Sequence, residues 1–296
     1  MADMMILSLN CGIASSWAYT GSAGSTMFCL AGRARAAALA LLATAAMTAA
    51  SDAQADQRYF TYSYEPKVLP RGVTELEQWA TMRNGRDNGL YARWDVRTEF
   101  EAGLTDNLTT AVYMNAKNVF VKRLNADGSM TDSNVMSFKG ISSEWKYKLS
   151  DPTADALGVL LYQEFGIDRR EWETETKLVL GRNFGDVIVA ANSIFEVEGK
   201  GTVSTTTGEV GSEYKTELEQ TFGAAYRTGQ NAFGIEASLR AEREDGEFSD
   251  VAVYVGPTLH TAKESWWATF TLLAQVTDHY ADHERTETRL IVGIHL

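Results

Sequence analysis

The side chains in this chain with the widest chemical reach are carboxylates and cations placed two residues apart. Arg93, Asp95, Arg97 and Glu99 occupy every second position, as do Glu75 and Glu77; Glu144, Lys146 and Lys148; Glu173, Glu175 and Lys177; and Glu217 and Glu219. Glu236 with Arg240, and Glu287 with Arg289, continue the theme. A spacing of two puts successive side chains on one face of a β-strand. Interleaved charges repeated in this way suit a polar lining for small solutes better than a single acid–base pair, and acids outnumber bases, which favours cations.

Two other groupings could carry chemistry. His279 and His283 share one short stretch with Asp278, Asp282 and Glu284, and imidazole with carboxylate can hold a divalent metal. Their density in a polar connector is equally that of solvated residues, so they are weak candidates and no metal is assigned. An acyl hydrolase would need a serine beside a histidine base. After residue 55 there is no Gly-x-Ser-x-Gly elbow and no strand serine clearly placed beside His279 or His283. No phosphate-cradling glycine loop or cysteine motif occurs there either, and no cofactor or catalytic residue is assigned. The expectation is a protein that is not an enzyme.

The elements that would position these charges are short alternating segments. In residues 93–101, Trp94, Val96, Thr98 and Phe100 form one set while the charges form the other. About twelve such segments follow one another after residue 71, with no helical period between them. The connectors at 102–107, 150–155, 183–186, 228–231 and 261–264 are tight, whereas 122–137, 199–213, 244–250 and 277–285 are longer. Alternating short and long connectors, with an even strand number, are the pattern of a transmembrane antiparallel β-barrel, with tight turns in the periplasm and long loops outside.

In such a barrel the apolar set faces lipid and the charged set faces the interior, the reverse of a small soluble barrel. Trp94, Phe100, Trp172, Tyr214, Tyr226, Phe233 and Trp266 lie on the apolar faces, mostly near segment ends, and are expected at the membrane interfaces. Residues 27–55 read as an export signal: a basic start with Arg33 and Arg35, an apolar run at 36–50 too short to span a bilayer, and a small-x-small site at Ala53-Gln54-Ala55. Residues 1–26 read as a non-native upstream extension, 56–71 as a periplasmic or mouth-tucked lead-in rich in aromatics, and 72–296 as the barrel. Both cysteines, Cys11 and Cys29, precede residue 56, which excludes a disulfide framework in the exported part. The net charge of −12 argues against nucleic-acid partners.

Three stretches, Tyr62-Ser-Tyr-Glu-Pro66, Leu69-Pro-Arg-Gly72 and Glu75-Leu-Glu-Gln-Trp79, resemble an uncharacterised family of Gram-negative outer-membrane β-barrel proteins of porin-like form. The likeness extends over nearly all of residues 56–296. It implies an outer-membrane location, contact with outer-membrane lipids and help from the barrel-assembly machinery, but brings no known solute. The ending Leu290, Val292, Ile294, Leu296 resembles the last strand of such proteins, except that Leu296 stands where an aromatic is usual. The expected role is a narrow, weakly cation-preferring channel for small polar solutes. A closed structural barrel acting through its external loops is the alternative, and an outer-membrane lipid hydrolase a more distant one.

Overall fold

The computed structural model describes residues 57–87, 89–125, 127–203, 208, 210–244 and 247–296. The expected export signal and the stretch before it lie outside the described residues.

The described chain is all-β. Its strands are β1 (Thr74–Arg86), β2 (Gly89–Thr105), β3 (Leu108–Leu124), β4 (Met130–Ser150), β5 (Gly158–Ile167), β6 (Glu171–Phe184) and β7 (Val187–Val203). They continue as β8 (Val210–Thr228), β9 (Asn231–Glu244), the two-residue β10 (Glu247–Phe248), β11 (Ala252–Ala262), β12 (Trp266–Gln275) and β13 (Thr286–His295). Neighbours pair antiparallel in chain order, with β9 joined directly to β11. The last strand returns to the first, from Glu75↔His295 to Asn84↔Thr286. The result is a closed ring of twelve strands, with β10 merely folded onto the end of β9. Closure satisfies every strand edge within the ring, the condition a β-structure must meet in hydrocarbon.

The two sets of side chains separate as the alternation requires. Val96, Val112, Met114, Leu161, Leu178, Leu218 and Phe222 are exposed on the outside, while Glu75, Glu77, Glu99, Glu144 and Glu287 are buried within. A predominantly apolar outer surface of this kind, broken by paired polar residues such as Gln78 with Thr98 and Ser193 with Gln220, suits a lipid-facing wall. One irregularity preserves the pattern. Gly140, at φ 84°, forms a bulge between Met114↔Ile141 and Ala116↔Phe138, so Phe138 and Ile141 both face outward despite their odd spacing.

The tight connectors all lie at one end of the barrel. The opposite end differs from the expectation of long loops. Pairing of β3 with β4 continues to Leu124↔Met130, and that of β7 with β8 to Val203↔Val210. Most of 122–137 and 199–213 is therefore projecting hairpin. An antiparallel ladder satisfies its backbone whatever the side chains are, and polar residues on both faces reflect water on both sides.

Candidate functional site

The site is the barrel interior. The eighteen charged residues expected to line it (Glu75, Glu77, Arg93, Asp95, Arg97, Glu99, Glu144, Lys146, Lys148, Glu173, Glu175, Lys177, Glu217, Glu219, Glu236, Arg240, Glu287 and Arg289) occupy inward positions, and none is exposed. Trp94, Phe100, Trp172, Tyr214, Tyr226 and Phe233 are exposed on the outer face, and Trp266 is half-buried there. Trp172 and Tyr214 meet edge-on, their centroids 6.3 Å apart.

Register reveals an order that single-strand alternation cannot. Glu144 is paired with Glu164, Glu164 with Glu175, Glu175 with Glu196, Glu196 with Glu217, and Glu217 with Glu242. The line extends backwards through Ala111 to Glu101 and Glu75. Because barrel strands tilt by about 35–45°, a line drawn across them climbs the wall. Glu75 is the second residue of β1, at the tight-turn end, whereas Glu242 nears the hairpin end of β9. With strands about 4.8 Å apart, the five steps from β4 to β9 rise roughly 15 Å.

Cations neutralise much of this helical row of carboxylates. Lys146 bridges Glu101 (2.5 Å) and Glu144 (3.1 Å), Lys177 meets Glu175 (2.8 Å), and Lys215 meets Glu242 (3.0 Å). Arg240 reaches three carboxylates: Glu287 at 2.8 Å, Glu217 at 2.9 Å and Glu219 at 3.2 Å. Glu287 is shared with Arg83 at 3.2 Å. Glu173, Glu196 and Glu198 bring carboxylate oxygens within 4.8 Å of one another. None of these three has an ion-pair partner among the described residues.

The lead-in lies inside the barrel. Residues 57–71 form a re-entrant segment in the half of the lumen nearest the tight turns. Its two arms touch where the Tyr59 N–H donates to Glu65 (2.9 Å) and Lys67 Nζ donates to the Gln57 carbonyl (3.5 Å). At its tip, one wall carboxylate accepts three consecutive backbone N–H groups. Glu236, itself fully buried, receives Thr61 (3.0 Å), Tyr62 (2.9 Å) and Ser63 (2.8 Å), and also the Thr271 hydroxyl (2.6 Å). Successive N–H groups converging on one carboxylate form an anion-binding nest, with charge-assisted bonds. Asn192 pairs with Tyr64, Thr109 accepts the Leu69 N–H at 2.9 Å, and Thr269 donates to the Arg58 carbonyl. Arg289 donates to the Thr61 carbonyl at 3.0 Å.

Apolar packing follows the same segment. Tyr59 and Phe60 cluster with Ile188, Ala190, Ala225 and Ala232; Tyr62 with Ala252, Tyr254 and Leu273; and Tyr64 and Val68 with Trp79, Leu160 and Trp267. Each buried aromatic contributes on the order of 1.5–3 kcal/mol. The wall makes room by omission. A Cβ on Gly223 would stand 2.8 Å from the Phe60 ring, and one on Gly181 would stand 2.6 Å from Pro66. The Arg58 guanidinium is stacked 3.9 Å from the Tyr64 ring and 4.6 Å from Trp79.

The two histidines of the last connector do not converge on a metal-type cluster. His279 faces Asp250 at 3.4 Å, while His283 is buried and burial lowers its pKa from the ordinary value. They share one helical turn, with the His283 N–H donating to the His279 carbonyl at 3.1 Å. Neither joins a group of three close ligand atoms, and neither hydrogen-bonds a serine hydroxyl, among the described residues.

Fold and interior together define a membrane-type β-barrel of twelve strands with a charged, partly occupied lumen. The chain belongs to a family of unknown function, DUF6662, which it matches over residues 52–295. No curated protein matches it. Among solved structures it is similar to the COG4313 outer membrane channel from Pseudomonas putida F1, at 11% identity and a TM-score of 0.54, over 80% of this chain and 100% of that one. It is also similar to the NanC porin (10% identity, TM-score 0.49, 75% and 100% covered). For the KdgM porin in complex with disordered oligogalacturonate, the values are 10%, 0.44, and 74% and 98%. The fold is thus shared with the first of these, a closed β-barrel of the outer membrane.

Proposed function

We propose that this protein is an outer-membrane channel for small polar solutes, with a weak preference for cations and no chemistry of its own. In that setting the tight turns face the periplasm and the projecting hairpins face outward. The observation carrying the reading is the climbing row of glutamates from Glu75 to Glu242. A hydrated cation moving along such a wall passes from one carboxylate to the next, and the paired cations keep any single site from holding it too tightly. Glu173, Glu196 and Glu198 add three carboxyl groups without an ion-pair partner among the described residues toward the hairpin end.

Planar-bilayer recording tests this. Discrete conductance is expected, with a reversal potential in a salt gradient displaced toward that of the cation. Silence over a wide voltage range from both the unaltered protein and a folded variant lacking residues 57–69 would refute the channel, and anion selectivity would refute the preference. One observation favours a second reading, a closed structural barrel working through its hairpins: residues 57–69 occupy part of the lumen with buried side chains.

A further inference from the structure

We propose that residues 57–69 are a displaceable gate, latched inside the barrel by Glu236. The inference rests on the channel reading and adds a moving part to it. Three observations converge.

First, the segment is held from many sides through bonds that can be exchanged for water. Its partners Thr109, Asn192, Glu236, Thr269 and Arg289 stand on β3, β7, β9, β12 and β13. All are side chains meeting backbone groups, so docking adds no strand to the closed ladder. Withdrawal would leave the barrel's own hydrogen bonds intact.

Second, the attachment is polarised. The segment is continuous with β1 through residues 70–73, where Gly72 N–H donates to Gly103 O at 2.8 Å and Gly103 N–H donates to Val73 O at 2.9 Å. This hinge sits at the tight-turn end, whereas the tip at Thr61–Ser63 reaches deepest. Motion about the hinge would carry the tip toward the tight-turn mouth.

Third, the tip has one dominant anchor. The tip puts four donors, three consecutive backbone N–H groups and the Thr61 hydroxyl, on the single carboxylate of Glu236. Losing its charge weakens four bonds at once, while leaving the outer face unchanged.

The test is single-channel recording on the full chain. Glu236→Gln should raise the open probability about tenfold or more, the factor expected from weakening charge-assisted hydrogen bonds. A second variant, T61C with T271C, tests the same point without removing the latch. Both native hydroxyls contact one Glu236 oxygen, at 3.4 and 2.6 Å. The exported region has no other cysteine. Oxidation or a short thiol cross-linker should abolish long openings, and reduction should restore them in the same membrane. Deletion of 57–69 supplies the reference for an unobstructed barrel, with heat-modifiable gel migration checking that each variant is folded. If the deletion conducts but Glu236→Gln and the cross-link both leave gating as in the unaltered protein, the gate is refuted and the channel stands. Equal conductance with the segment cross-linked or deleted would also refute the gate. A folded deletion variant that never conducts would overturn both readings.

Discussion

Asn192 meets the backbone of Tyr64 with both ends of its amide. Oδ1 accepts the Tyr64 N–H at 2.6 Å and Nδ2 donates to the Tyr64 carbonyl at 2.9 Å, across 128 residues of sequence. Only an amide side chain offers a donor and an acceptor at this spacing. Asn192→Asp would keep the acceptor and lose the donor, placing two oxygens face to face in a buried setting. A cost of about 1–3 kcal/mol is expected for docking of the segment, with the barrel still folded. Limited proteolysis between residues 59 and 64 should accelerate by roughly 5- to 150-fold, because cleavage follows the undocked population. Unchanged cleavage would show that this contact does not hold the segment.

Arg240 on β9 is in contact with three carboxylates, Glu217, Glu219 and Glu287. Arg240→Met is expected to destabilise the barrel by about 3–5 kcal/mol, since it strands buried carboxylates. Adding Glu287→Gln should recover part of that loss, because Glu287 has then no charge left to strand and Arg83 retains Asp95. Urea unfolding of the single and double variants checks this, and simple additivity would contradict it.

Glu173, Glu196 and Glu198 form an interior cluster of carboxyl groups with no ion-pair partner among the described residues. Its replacement by glutamine at all three positions should move the reversal potential in a tenfold salt gradient toward zero. The same change at exposed Glu213, farther out on the projecting hairpin, should alter it much less.

Leu178 lies on the outer face in the middle of β6, paired with outward-facing Leu161. Leu178→Lys should cost about 2–4 kcal/mol in a bilayer, the penalty for a cation near the midplane. Ser212→Lys, on a projecting hairpin, should be nearly neutral. Unfolding from lipid vesicles distinguishes them, and equal effects would contradict the assignment of the lipid-facing surface.

The all-β class, the closed ring of about twelve strands and the inward or outward direction of most side chains were legible because each follows from period-two alternation and turn position. Arg93 to Glu99 declare their face within seven residues. The glutamate row was not legible as a row. Glu164, Glu196 and Glu242 join it only through register, which depends on turn lengths and on irregularities such as that between Lys148 and Ser150. The docking residues were hidden for another reason. Thr109, Asn192 and Thr269 look like ordinary inward polar residues until the segment that uses them is in place. That segment has aromatics at Tyr59, Phe60, Tyr62 and Tyr64 but no extended period, so its composition signalled burial without naming the partners. A row of glycines and alanines facing inward at Ala190, Gly223 and Ala225 was the available clue that something bulky lies opposite.

The contact from Thr61 to Arg289 spans 228 residues and joins the start of the described chain to its last strand. The order of assembly follows from it. Residues 57–69 are made before any strand, yet their full set of partners exists only after β13 has zipped onto β1. The first stretch of the described chain is thus among the last to gain all of its contacts. Its arrival reports that the seam has closed, so in folding time the loop serves as a marker of completion.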